Sequence, residues 1–373
     1  MAPFYPGLFI VAETCYEHAR TMAGCHDVVV LYDHYNGRRI DLAHEWLSCA
    51  GDMPRSLNIK ALDHEFEVID RLVVPFRFRR LDLTLTRGQS QRSLSLSHQT
   101  QSLHSLRLLV AGASFPQPIY EDFSAYNLIT TLPWSQLRHL HIGNASISAS
   151  TLINALSNCL VLEELWMILC PDPAPCDAPA SFITLPNVQQ LTLRFITGSN
   201  PEMFFRSLIL PQIEGLDMIM TNSRTEVLPG CTSLHFSNMA QRSGMSRIQK
   251  LRLSKGVEPY RLSDLLRYTP SLSYLDVSGD VVFDGQTLEE MSTGQLGPNI
   301  KGLYLPHVEG SLRILEMVWT RSQNASGDKK YGVSVITPIT EVEVSVPPAA
   351  DVDEFNGWVD KLQDLGIDCF YVG

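Results

Sequence analysis

Nine copies of one phrase, Leu-x-x-Leu-x-Leu with Ile, Val, Met or Phe as substitutes, recur along the chain and restrict its fold more than any other feature. The fullest copy is Leu162-Glu-Glu-Leu165-Trp-Met167-Ile-Leu-Cys170. The others begin at Phe78, Leu103, Leu137, Val188, Ile213, Ile248, Leu272 and Ile300. Their middle leucines stand at 81, 106, 140, 165, 191, 216, 251, 275 and 303, so the gaps are 25, 34, 25, 26, 25, 35, 24 and 28. Alternate residues of a strand share a face. The last two apolar residues of each phrase therefore point one way, and the leading one enters the same core from the preceding turn. Between phrases the apolar period becomes helical, as in Leu152-Ile153-Ala155-Leu156 and Leu262-Leu265-Leu266. A strand–helix unit of about twenty to twenty-nine residues is the sequence sign of a leucine-rich repeat. One unit cannot bury its apolar face, but a stack can. The expected fold is α/β, a leucine-rich-repeat solenoid (horseshoe) with a parallel concave sheet.

Three segments follow from this pattern: an N-terminal cap over 1–50, the repeat array over 51–320, and a C-terminal cap over 331–373. Near the start, Val28–Tyr32 has strand character, and Asp41–Cys49 reads as a helix with Leu42, Trp46 and Cys49 on one face. A partial copy at Pro54-Arg-Ser-Leu57-Asn-Ile59 precedes a helical stretch over 60–74. Another, Cys231-Thr-Ser-Leu234-His-Phe236, would split the 35-residue gap into 18 and 17. The 34-residue gap holds Phe115-Pro-Gln-Pro118, read as an insertion loop. Residues 169–185 and Arg321–Lys330 read as a loop and a polar linker. In the cap, Tyr331–Val346 alternates, Val352–Leu365 is an amphipathic helix carrying Phe355, Trp358, Leu362 and Leu365, and Ile367–Val372 closes as a strand.

Composition narrows the function. The formal net charge is −11, the wrong sign for a surface that neutralises nucleic-acid phosphates. Residues 331–373 hold eight acidic side chains against Lys361 alone, a solvated edge or a docking site for a basic partner. No stretch approaches the eighteen apolar residues of a membrane span, and the N-terminus lacks the basic segment of a signal peptide. The eight cysteines form no CxxC pair, and several sit in apolar patterns as small hydrophobes. An intracellular protein, cytoplasmic or nuclear, is expected, without membrane or nucleic-acid partners.

Catalytic signatures are missing from the sequence. There is no GxGxxG, P-loop, GxSxG or HExxH. His139 with His141, and Cys170 with Cys176, have metal-like spacing without further ligands. Phe76-Arg77-Phe78-Arg79-Arg80 is basic and aromatic, and reads as the polar side of a helix-to-strand junction. No metal or cofactor is expected, and no enzyme, although a site assembled only in space would escape this reading.

Several phrases resemble, in order, the leucine-rich-repeat F-box-like proteins of mushroom-forming (agaricomycete) fungi. They are His44-Glu-Trp46-Leu-Ser-Cys through Pro54-Arg-Ser-Leu57-Asn-Ile59, Leu132-Pro-Trp134-Ser-Gln-Leu137-Arg-His-Leu140, Ile183-Thr-Leu185-Pro-Asn-Val188-Gln-Gln-Leu191, Thr269-Pro-Ser-Leu272-Ser-Tyr-Leu275, and Trp358-Val-Asp-Lys-Leu362-Gln-Asp-Leu365-Gly-Ile-Asp. The resemblance covers roughly 41–373. It implies a substrate-binding subunit of an SCF-type ubiquitin ligase. Residues 1–40 lack the Leu-Pro-x-Glu opening of an F-box, so a Skp1-like adaptor is implied only if that module is degenerate or lies elsewhere. The alternatives are a scaffold outside any ligase, and an enzyme with a spatially assembled site.

The residue between the two strand leucines faces away from the core. Those residues are Asp82, Arg107, His141, Trp166, Thr192, Asp217, Arg252, Asp276 and Tyr304, expected to align as one outward stripe. His141, Trp166, Arg252 and Tyr304 are its candidate protein-binding residues, with the two large aromatics as anchors. The plainer reading of Trp166 is packing beside an insertion at 171–180.

Overall fold

The structure, a computed structural model, describes residues 41, 44, 45, 47 and 48, then 56–60, 72, 73, 76–86, 102–111, 132–171, 182–196, 199, 201–220, 233–255, 258–326, 336–347 and 351–372. The strand expected at Val28–Tyr32, most of the helix expected over 60–74, and the insertion around Phe115 lie outside these residues. The chain forms two compact units: Met1–Ile147 with Asn158–Ile168, and Ser148–Ser157 with Leu169–Gly373.

The first unit is built on β1 (Ser56–Lys60), β2 (Arg80–Thr86), β3 (Ser105–Ala111), β4 (His139–Ser148) and β5 (Glu164–Cys170), neighbours in chain order. The pairs from β1 to β4 are parallel, with Leu57 beside Leu81, Leu81 beside Leu106, and Leu106 beside Leu140. The apolar triplets are buried as the phrase requires: Phe78, Leu81 and Leu83; Leu103, Leu106 and Leu108; Leu137, Leu140 and Ile142; Leu162, Leu165 and Met167. The arginines of the basic aromatic stretch face out while Phe76 and Phe78 point in, the expected junction. Cys159 is buried too, and burial pushes its thiol up to about 12, so it packs as a small hydrophobe.

The second unit takes β5 from Leu169 onward and adds seven helices among the described residues. Helix α1 (Ala149–Leu156) is capped by Ser148, whose hydroxyl accepts the Thr151 N–H at 3.3 Å, and it buries Leu152, Ile153 and Leu156. Next come β6 (Ile183–Thr184), β7 (Gln190–Phe195), α2 (Glu202–Ser207), β8 (Leu208–Ile209) and β9 (Gly215–Met220). Then follow α3 (Ser233–Ser243), β10 (Lys250–Leu253), β11 (Tyr260–Arg261), α4 (Leu262–Arg267), β12 (Tyr274–Val277) and β13 (Val281–Val282). Last are α5 (Gly285–Ser292), β14 (Gly302–Leu305), α6 (Ser311–Ser326), β15 (Glu341–Ser345), α7 (Val352–Asp364) and β16 (Asp368–Val372). The order of the unit's main strands is β7-β9-β10-β12-β14-β15-β16, every pairing parallel. The short strands pair apart from it, β6 with β8 and β11 with β13.

One backbone device recurs in both units. The carbonyl two residues before the central leucine accepts two successive N–H groups from the next strand's start. Arg79 O accepts from His104 and Ser105, Gln249 O from Ser273 and Tyr274, and Lys301 O from Thr340 and Glu341. This shared acceptor locks neighbouring phrases in register, so each apolar triplet meets the next. The register reaches further than the leucines reveal. Ile339, Val342 and Val344 are buried as a tenth triplet, with Val342 beside Leu303. It was legible in the sequence only as valine alternation.

Three expectations are corrected. The partial copy expected over Cys231–Phe236 is helical where it is described, since α3 begins at Ser233. Phe236, Met239, Ala240 and Ser243 are buried at helical spacing, while Leu234, its central leucine, is exposed. The supposed linker from Arg321 is α6 as far as Ser326, and Arg321 is completely buried. Its guanidinium donates to the carbonyls of Thr337, Met291, Gly297 and Pro298 at 2.8–2.9 Å. The loop reading of 169–185 also gives way at both ends, to β5 and β6, with 172–181 outside the described residues. The closing helix matches its expectation at Phe355 and Leu362. Val359 completes its buried face, and Leu365 is exposed.

Candidate functional site

Because each strand keeps its apolar pair inward, the residue between them is held on the opposite face. Register then brings these residues side by side. In the first unit the row runs Asn58, Asp82, Arg107 and His141. Trp166 of β5 continues it, its ring stacked on His141 with centroids 4.3 Å apart and planes 10° from parallel. Next to it Gly143 makes room for Leu109: a Cβ there would lie 2.5 Å from Leu109 Cδ2, and at ordinary contact, 3.5 Å, from the Trp166 ring. Asn58 Nδ2 donates to Asp82 at 3.4 Å, and Arg107 lies 3.9 Å from the same carboxylate. Beside the row, Glu163 takes Arg138 at 2.6 Å and approaches His139 Nε2 at 3.5 Å. These are surface pairs worth about 0–1 kcal/mol each, so they orient the face more than they stabilise it.

In the second unit the row runs Thr192, Asp217, Arg252, Asp276 and Tyr304. It continues past the expected stripe into Glu343 and Phe370. Arg252 Nε lies 2.8 Å from Asp276 Oδ2. The Tyr304 hydroxyl donates to Glu341, and burial with that carboxylate beside it raises the phenol well above its usual range. Tyr304 thus stays protonated and acts as a donor. Gly302 has no side chain because none fits: a Cβ would lie 2.6 Å from Tyr274 Cδ1 and 2.9 Å from Tyr304 Cε2.

Of the four candidate residues, His141 and Trp166 are brought into contact in the first unit, and Arg252 and Tyr304 flank Asp276 in the second. Packing of Trp166 beside 171–180 falls almost wholly outside the described residues. Glu343 and Phe370 were missed because their strands lack leucine. The signal was there in Ile339-x-x-Val342-x-Val344, the same phrase in branched residues.

His139 and His141 share a face through their i, i+2 spacing, yet one approaches Glu163 and the other stacks on Trp166. Among the described residues no group of three or more His, Cys, Asp or Glu is placed to hold a metal ion. Nor is any described helix long and apolar enough to cross a membrane. No protein-family model matches the chain, and no curated protein matches it.

Proposed function

We propose that the chain is a leucine-rich-repeat solenoid whose outward sheet row recognises another protein, and that it performs no catalysis. The observation that carries this reading is the half-buried His141–Trp166 stack in register with polar neighbours. A rigid aromatic pair continued along one row by Arg107, then Asp82 and Asn58, has the chemistry of an interface anchor with polar neighbours. Its backbone is fixed by parallel pairing, so little ordering is lost on binding. The ordered fungal phrases add a ligase role as the substrate-binding subunit, with a Skp1-like adaptor as the second partner.

The test is affinity purification with the full chain, repeated with Trp166→Ala. The variant is expected to lose about 2 kcal/mol or more of partner binding, roughly thirtyfold. It should lose about 1–3 kcal/mol of stability, because the half-buried ring gives up its stacking and part of its apolar burial together. Folded variant that still binds at full strength overturns the anchor. Recovery of Skp1 and a cullin with the wild-type chain supports the ligase role, and stable partners without them assign a scaffold.

A further inference from the structure

On the outward face of the second unit's last strands, carboxylates gather with no cation paired to them among the described residues. Glu341 of β15 is the direct register partner of Asp368 of β16. Glu343 stands two residues along β15 on the same face, between Tyr304 and Phe370. Like charges directly opposite on adjacent strands destabilise a sheet. Elsewhere in this unit's sheet the rule is kept, since Arg252 of β10 stands opposite Asp276 of β12 and meets it at 2.8 Å. Among the described residues Glu341, Glu343 and Asp368 make no ion pair. The two glutamates are half-buried, so water screens them incompletely. The Tyr304 hydroxyl donates to Glu341, but a neutral donor does not cancel the charge, and a local rule broken in this way is characteristic of a functional face.

The surroundings fix what would compensate it. Tyr274 is 38% exposed and Phe370 50% exposed, with Tyr304 between their strands. Aromatic faces beside carboxylates suit a guanidinium, which stacks on rings and donates to carboxylates in a planar fork. β16 is the last strand in the order, and among the described residues no strand pairs with its outer edge. That edge presents backbone groups to an added strand.

We propose that this face and edge take an extended, arginine-bearing segment of a partner protein, laid beside β16. One guanidinium sits against Asp368 and Glu341, and the residue two positions along covers Phe370, as the period of a strand requires. The inference rests on the recognition reading above and adds the partner's chemistry. A second copy of this chain is the wrong occupant, because residues 331–373 would bring eight further acids and only Lys361.

Fluorescence anisotropy of the full chain with a labelled peptide alternating arginine and leucine tests it. Comparison peptides carry lysine, glutamate or serine in place of arginine. Glu341→Gln/Asp368→Asn should weaken the arginine peptide about tenfold or more, the scale of a lost interfacial charge pair. It should also raise the unfolding midpoint, because the repulsion is gone. Glu289→Gln/Glu316→Gln, two exposed carboxylates on α5 and α6, should change binding less than about twofold. The lysine peptide should bind more weakly than the arginine one. Equal loss in both double variants means diffuse attraction to an acidic protein and overturns the proposal. Binding of the serine peptide that ignores Glu341→Gln/Asp368→Asn also overturns it, while leaving the recognition reading intact. If no peptide binds and the full chain captures no protein from cells, both readings fall.

Discussion

Replacing Arg321 by methionine is expected to destabilise the second unit by about 3–5 kcal/mol, the range for breaking a buried charged network. Its guanidinium serves four carbonyls from three segments: Met291 at the end of α5, Gly297 and Pro298 before β14, and Thr337 before β15. Methionine fills much of the volume and removes every guanidinium donor: Met291, Gly297 and Pro298 keep one backbone N–H each, from Gly294, Ile300 and Thr337, but lose the charged donor that ties them together, and the Thr337 carbonyl loses the Arg321 bond. Gly297 has φ +57°, and a Cβ there would lie 2.7 Å from Ile300 Cδ1, so this loop can adjust little. Burial pulls the guanidinium down to about 10, which still leaves it charged at neutral pH. Arg321→Lys keeps a charge but not the planar fork, and its loss should fall between wild type and methionine. Denaturant unfolding followed by far-ultraviolet dichroism measures all three. A methionine variant as stable as wild type would show that the four hydrogen bonds contribute nothing net.

Leu165→Ala is expected to cost about 2–5 kcal/mol through cavity formation. Leu165 is 1% exposed near the start of β5, between the buried Leu162 and Met167. Each strand of the sheet pairs only with its immediate neighbours, so the damage should be greatest in adjoining strands. Hydrogen exchange would show it as lost protection in β4 and β5, with β14 and β15 little changed. An unchanged unfolding midpoint rejects Leu165 as a core position.

The phrase in the sequence was enough to place nine strands, their parallel pairing and their inward residues, because alternation of apolar side chains is a local property. It failed where two periods overlap. Leu234-His-Phe236 matches a strand, but Phe236, Met239, Ala240 and Ser243 match a helix, and burying four residues outweighs burying two. Polar composition failed in the same way at Arg321–Ser326. That segment's polar character says loop only if its donors face water, and Arg321 faces carbonyls supplied by segments 16–30 residues away.

The candidate site divides along the same line. His141, Trp166, Arg252 and Tyr304 were placed on the outward face by the alternation itself. That Trp166 stacks on His141, or that Tyr304 binds Glu341 while Asp368 faces Glu341 unpaired, depends on register between strands far apart in the chain. The sequence by itself determined which face of each strand is apolar, since that follows from neighbours two residues apart. Only the tertiary structure decided which outward side chains meet and which like charges stand opposite one another, because register and packing are set by contacts between distant segments.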